Sequence, residues 1–261
     1  MVPTMALDRV PLVLDPHALG LGAAGAPGFV LVLPGGGYVG RAEHEGSAVT
    51  AWLAEHGVPA AHLEYPVAPT RYPDALDQTL LALADLRAGR HGDVSGPIAL
   101  LGFSAGGHLA GSAATATREE VEHLASRDGS DPAMLRRPDL LGLGYAVVSL
   151  VENPHVGSRT NLLGEVDDVR AAELSVDRRV DATTPPTFAW HTADDAAVPV
   201  SHAVLLAAAL GAAGVAYELH VYPTGRHGLG LAEDVGPPVS EWATAWVRWL
   251  AQQGVGGQAS R

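Results

Sequence analysis

The feature that most constrains this chain is the stretch from Pro97 to Ala110, PIALLGFSAGGHLA. Ile98 to Leu101 is a short apolar run with the length and flanks of a buried strand. It runs into Gly102-Phe103-Ser104-Ala105-Gly106, a G-x-S-x-G, and Gly107 to Ala110 begins a helix-compatible segment. A strand that passes into a helix within so few residues brings two backbones close together. Gly102 and Gly106 carry no side chain where they would meet. Such a turn holds Ser104 in a strained, exposed position at its tip, where a nucleophile is useful. In a chain with 31 glycines the five residues carry little weight alone; the strand before them and the helix after them supply it.

The flanking sequence repeats the same alternation. Val10 to Leu14 reads as an edge strand, followed by a Gly/Ala-rich loop to Gly28. Phe29 to Leu33 (FVLVL) is apolar on both faces, as a central strand of a parallel sheet covered on each side must be, and it ends in Pro34-Gly35-Gly36-Gly37-Tyr38. Glu45 to His56 reads as a helix, Pro59 to Tyr65 as a strand and Pro73 to Arg90 as an amphipathic helix. Thr117 to Leu140 is polar and reads as a surface excursion. Leu141 to Leu150 is the next strand, and Val151 to Thr184 is a long segment expected to cover the site in part. Thr187 to His191 and Ala216 to Tyr222 are strands on either side of a helix over Pro199 to Ala213, and Ser240 to Gln252 closes the chain as a helix. Trp242, Trp246 and Trp249 recur at i, i+4 and i+7, the spacing of a core-facing stripe rather than of a binding strip. Strands alternating with helices imply an α/β fold, doubly wound around a mostly parallel sheet with helices on both faces, and catalytic groups on the loops at the strands' C-terminal ends. No repeat or linker divides the chain, so residues 1–261 are expected to form a single domain, with 151–184 as its partial cover.

Composition narrows the partners. Lys and Arg number 16 against 29 Asp and Glu, a formal charge of −13, so nucleic acid and anionic membrane surfaces are not expected partners. With no cysteine there is no thiol nucleophile, disulfide or Cys-ligated metal. The first 28 residues lack a charged start followed by an unbroken apolar run, and no stretch approaches the ~18 apolar residues of a membrane span. The expectation is a soluble cytoplasmic protein, of oligomeric state that the sequence leaves open.

A serine hydroxyl is a poor nucleophile at neutral pH and needs a base within hydrogen-bond reach, itself oriented by a third group. His191 to Pro199 (HTADDAAVP) follows a strand and carries Asp194 and Asp195; Gly225-Arg226-His227-Gly228 follows the next strand. The chain order Ser104, acid, His227 is one of the known triad orders. Of the 12 histidines, His191 and His220 sit within strands and His108 lies one helical turn beyond Ser104, so His227 is the expected base. Asp195 opens D-x-x-V-P ahead of the next helix and is preferred over Asp194, which is left as a solvated or capping carboxylate. A metal held by His191, Asp194 and Asp195 would leave Ser104 and His227 without a role, so no metal is expected. Acyl transfer also places negative charge on the carbonyl oxygen. The amides of Gly36, Gly37 and Ala105 are the expected donors, with the choice among Gly35, Gly36 and Gly37 open. Tyr38 and Phe103, next to these groups, are expected to shape the substrate pocket, with His155, Arg159 and Asn161 facing either a sugar or water.

PGGGY at Pro34–Tyr38, GFSAGGHLA at Gly102–Ala110, PPTFAWHTADDAAVPV at Pro185–Val200 and GRHGLGL at Gly225–Leu231 together resemble the α/β-hydrolase-fold carboxylesterases of the acetyl esterase and acetyl-xylan esterase-like group, kin to the hormone-sensitive-lipase-like esterases. Pro34 stands where the lipase-like relatives carry a histidine, which favours the acetyl esterase side. The resemblance implies a serine carboxylesterase that needs no cofactor, acting through an acyl-enzyme on short-chain esters such as acetylated xylo-oligosaccharides. A serine peptidase or aminoacyl hydrolase on the same fold is the alternative, because amide and ester hydrolysis share the triad. A binding module that has lost turnover would be expected to lack one of its members.

Overall fold

The computed structural model describes residues 7–14, 28–165 and 168–256. Its centre is a seven-stranded sheet in the order β1-β3-β2-β4-β5-β6-β7. The strands are β1 (Leu12–Leu14), β2 (Phe29–Leu33), β3 (Ala60–Leu63), β4 (Ile98–Phe103), β5 (Leu140–Gly144), β6 (Thr187–Thr192) and β7 (Tyr217–Tyr222). All pairings are parallel except that of β1, which lies antiparallel against β3 at the edge. The α/β expectation therefore holds, with the N-terminal strand shorter than its apolar run. The Gly/Ala-rich loop falls almost wholly outside the described residues.

Between β3 and β4 the winding reverses, because β3 lies on one side of β2 and β4 on the other. At such a switch point the loops after the two central strands diverge and leave a crevice, the usual ligand position in open α/β sheets. Here those are the loops after β2, which hold the glycines, and after β4, which hold Ser104. Strand alternation sorts the side chains. Phe29, Leu31 and Leu33 of β2 enter one core, with Leu and Ala residues from α2 (Asp74–Arg87), α3 (Ser104–Ala114) and α8 (Ser201–Ala213). Val30 and Val32 enter the other, with α1 (Ser47–Glu55) and α9 (Glu241–Gln252). That second core is aromatic: Trp242, Trp246 and Trp249 are all buried, and Trp242 stacks on Trp190 at 4.9 Å. The tryptophan stripe is core.

Two segments differ from expectation. The polar run after Thr117 contains a regular helix, α4 (Arg118–Asp128). Thr117 and Glu120 form a reciprocal capping box and Gly129 closes the far end in the left-handed conformation, so the ends are satisfied even though most of the surface is wet. The apolar run from Leu141 to Leu150 is strand only to Gly144. Tyr145 turns the chain at φ +34, and residues 145–150 are a buried loop beside α3. Buried N–H groups outside a ladder need side-chain acceptors. Val148 and Ser149 donate to His202 Nδ1 (2.9 and 3.2 Å), and Leu150 donates to Ser175 Oγ (2.9 Å). The segment that follows carries three short helices, α5 (Val156–Leu163), α6 (Asp168–Glu173) and α7 (Val176–Arg179). Among the described residues no helix is long and apolar enough to cross a membrane.

Candidate active site

Ser104 sits at the first residue of α3 with φ +52, a left-handed conformation that costs a non-glycine residue of order 1–2 kcal/mol. Steric interlock holds it there. A methyl group on Gly106 would collide with the carbonyl oxygens of Leu33 and Pro34, and one on Gly102 would collide with the Gly106 backbone. The glycines thus let β2, β4 and α3 approach closely enough to set Ser104 beside the loop after β2.

The structure brings three of the expected residues together. Ser104 Oγ lies 2.8 Å from His227 Nε2, and His227 Nδ1 lies 2.7 Å from Asp195 Oδ2. The carboxylate can only accept, so Nδ1 carries the proton and Nε2 of the neutral ring is free to accept from the serine hydroxyl. Asp195 is buried, and burial pushes its carboxyl up. The hydrogen bond from His227 and those from the Val198 and Ala197 N–H groups (3.0 and 2.9 Å) outweigh this and leave it below its usual value. An ionised partner for an imidazole follows. Asp194 points elsewhere, accepting from Gly225 N–H at 2.7 Å, and so pins the start of the histidine loop. Among the described residues no three His, Asp, Glu or Cys side chains converge as a metal site would need.

The remaining histidines have other work. His108, one turn along α3, is buried between the Tyr38 hydroxyl (2.8 Å) and the Leu174 carbonyl (2.9 Å), and burial pushes it down to about 4. His191 is held by the Val198 carbonyl at 2.9 Å.

The loop after β2 curls through Gly36 (φ +131), Gly37 (φ +63) and Tyr38 (φ +59). The three glycines are not equivalent: Gly35 N–H donates to Glu45 Oε2 at 2.6 Å, whereas Gly36 and Gly37 show no acceptor among the described residues. Ala105 is the second residue of α3, so its N–H is one the helix leaves unpaired.

Two expected pocket residues are corrected. Strand β4 runs on to Phe103, so alternation sends that ring, with Ala99 and Leu101, into the aromatic core, where it packs on Tyr145 and Trp242 (centroids 5.7 and 5.6 Å). Tyr38 is 2% exposed, and its hydroxyl is taken up by His108. Both are structural, and neither ring faces an open pocket. The segment after β5 reaches the glycine loop: Asn161 Nδ2 donates to the Gly37 carbonyl at 2.8 Å, and His155 caps α5 and bonds Ser158 Oγ at 2.8 Å. Burial lowers the His155 pKa. Arg159 is tied to the Leu150 carbonyl (3.0 Å) and to Asp168.

Sequence reasoning passed over Glu45 and Tyr145. Glu45 is 2% exposed and accepts from the Tyr145 hydroxyl at 2.6 Å as well as from Gly35. The available signal was a glutamate at the start of the expected Glu45 to His56 helix.

The sheet order, the switch-point crevice and the strand–turn–helix at Ser104 define a member of the α/β-hydrolase fold family, and that family matches residues 30–231; the chain belongs to it. Among solved structures, an acetyl ester-xyloside bifunctional hydrolase from Caldicellulosiruptor lactoaceticus is similar at 36% identity, with a TM-score of 0.81 over 96% of this chain and 99% of that one. Among curated proteins, endo-1,4-beta-xylanase B of Butyrivibrio fibrisolvens is 30% identical over 78% of this chain and 33% of its own length. An acetylxylan esterase of Xylanibacter ruminicola is 29% identical over 77% of this chain and 41% of its own length. The chain thus spans about a third to two-fifths of the curated relatives it matches.

Proposed function

We propose that the protein is a serine carboxylesterase that removes short acyl groups, acetyl above all, with acetylated xylo-oligosaccharides as its substrate class. The observation that carries this reading is the continuous hydrogen-bond chain Ser104–His227–Asp195 beside the unpaired amides of the glycine loop. In the proposed cycle His227 Nε2 takes the Ser104 proton as Oγ bonds to the ester carbonyl carbon. The carbonyl oxygen becomes an oxyanion held by the Gly36, Gly37 and Ala105 amides. The intermediate collapses, the bond to the alcohol oxygen breaks, and His227 returns its proton to that oxygen. Water then attacks the acyl-enzyme, giving one proton to His227; release of the carboxylic acid restores Ser104 with that proton. Asp195 holds the tautomer throughout and stabilises the imidazolium.

The acetyl and xylan parts of the reading are supported by its similarity to the Caldicellulosiruptor acetyl ester-xyloside hydrolase and the Xylanibacter acetylxylan esterase. The test is hydrolysis of p-nitrophenyl esters from acetate to octanoate, together with acetate release from acetylated xylo-oligosaccharides, with Ser104→Ala as control. A steep preference for acetate with release from the sugar is expected. A maximum at butyrate or longer, with sugar esters untouched, would overturn the substrate class. No turnover of any ester would overturn the activity.

A further inference from the structure

A buried carboxylate without a cation is costly, several kcal/mol in an apolar surrounding unless its lone pairs are met. Glu45 is such a group. Among the described residues no Lys or Arg pairs with it, and the exposed His44 ring stands 3.8 Å away, while its two oxygens take hydrogen bonds of 2.6 Å from Gly35 N–H and the Tyr145 hydroxyl. A leucine would fill the space at less cost, so the charge calls for a reason beyond packing. Its partners supply one. Gly35 begins the glycine loop, and a methyl group there would meet both Glu45 Oε2 (2.6 Å) and Ser104 Cβ (2.9 Å), so the carboxylate and the Ser104 side chain both crowd the Gly35 α-carbon. Tyr145 passes the connection on: its oxygen accepts from Gly230 N–H at 2.9 Å, three residues past His227, and its ring stands edge-on to the His227 ring at 5.0 Å. Next door, His44 Nε2 donates to the Gly228 carbonyl at 2.9 Å. Burial first, and the Glu45 charge second, raise the Tyr145 hydroxyl far above its ordinary value, so it stays a donor at any working pH.

We propose that Glu45 is a positioning residue for ester hydrolysis: through Gly35 on one side and Tyr145 on the other, its carboxylate locks the glycine loop and the His227 loop in register, so that the Gly36 and Gly37 amides meet the oxyanion that forms over Ser104. This rests on the esterase reading above. It assigns Glu45 no proton transfer and no contact with substrate.

The experiment compares Glu45→Gln, Tyr145→Phe and their double variant with wild type. It measures kcat and KM on p-nitrophenyl acetate and the inhibition constant of a trifluoromethyl ketone, which adds to the serine and presents an oxyanion. In Glu45→Gln one of the two acceptor oxygens becomes an NH2 group, so Gly35 N–H and the Tyr145 hydroxyl can no longer both be accepted, whereas Tyr145→Phe keeps the ring and removes the relay. The expected result is a fall in kcat of about 100-fold for the first, the low end of what losing one oxyanion donor costs, and a smaller fall, about 10-fold, for the second. KM stays within about threefold, the ketone weakens in proportion to kcat/KM, and the double variant is little worse than Glu45→Gln because the two act as one unit. Folded variants with kcat and ketone affinity within about twofold of wild type, or a loss confined to melting temperature or KM, would overturn the proposal. If Glu45→Gln does not fold, Tyr145→Phe decides alone. Wild type and Ser104→Ala separate the two readings: an inactive wild type, or an active Ser104→Ala, removes the esterase reading and the lock with it, whereas a normal pair beside unaffected variants removes only the lock.

Discussion

The two halves of the site are made of different material. After β6 and β7 it is built from side chains: the Asp195 carboxylate and the His227 imidazole are joined in one hydrogen-bond chain to Ser104. After β2 it is built from backbone: Gly36 and Gly37 offer amide N–H groups rather than side chains, and glycine matters there for the positive φ of both and, at Gly36, because a methyl group would strike the Gly40 carbonyl. Chemistry in the first half is lost by changing a functional group, and in the second by changing a shape.

The comparison is broken most easily at its first half. Ser104→Ala and His227→Ala should each lower kcat/KM by at least about 10⁴-fold while melting close to wild type, since removing any triad member leaves only binding and oxyanion stabilisation. Asp195→Asn comes next at about 10³–10⁴-fold, because an amide favours the wrong tautomer. Asp194→Asn, whose oxygen can still accept from Gly225, should stay within about threefold. Equal losses for the neighbouring aspartates would mean that the loop's shape, rather than the carboxylate, is what counts.

In the backbone half the prediction turns on space. A methyl group on Gly36 would run into the Gly40 carbonyl, whereas on Gly37 its first neighbour is Ser158 Oγ at 3.9 Å. Gly36→Ala should therefore cost about 100-fold or more in kcat, and Gly37→Ala about tenfold or less, with KM as the comparison. A reversed order would show that the amide of Gly37 is the more exacting donor.

The smallest effect concerns the support beneath Ser104. His108 is neutral and buried, pushed down to about 4. Its folded value lies below that of the unfolded chain, so the unfolded state takes the proton first as pH falls. The contribution of His108 is complete above about pH 6.5 and is lost toward pH 4, at most about 3 kcal/mol. Urea unfolding from pH 7 to 4 should show this slope, and His108→Gln should flatten it; an unchanged slope would assign the acid sensitivity to His191 and His202, which burial also lowers.

The same division governs what could be read before the structure. Ser104, Asp195 and His227 were legible because each stands just past an apolar run, in a chain order with a chemical meaning. The sheet was legible because its central strands are apolar on both faces. The choice among Gly35, Gly36 and Gly37 was not legible, since it depends on which N–H a side chain ten residues on happens to occupy. Phe103 was misplaced because the strand runs two residues further than its aliphatic core, and the alternation then sends the ring inward. The helix after Thr117 was passed over because its residues are polar, although Thr117-x-x-Glu120 announces its start.

The strand order has one more consequence. The hydrogen bond between Ser104 and His227 spans 123 residues, and that between Tyr145 and Glu45 spans 100. Contacts this distant along the chain form late, after the loop-closure entropy of everything between them has been met. Neither the first four strands nor the last three hold Ser104, Asp195 and His227 together. On the esterase reading, turnover by a refolding chain would begin only when the last strand has docked, and the proposed reaction would then serve as a clock of folding.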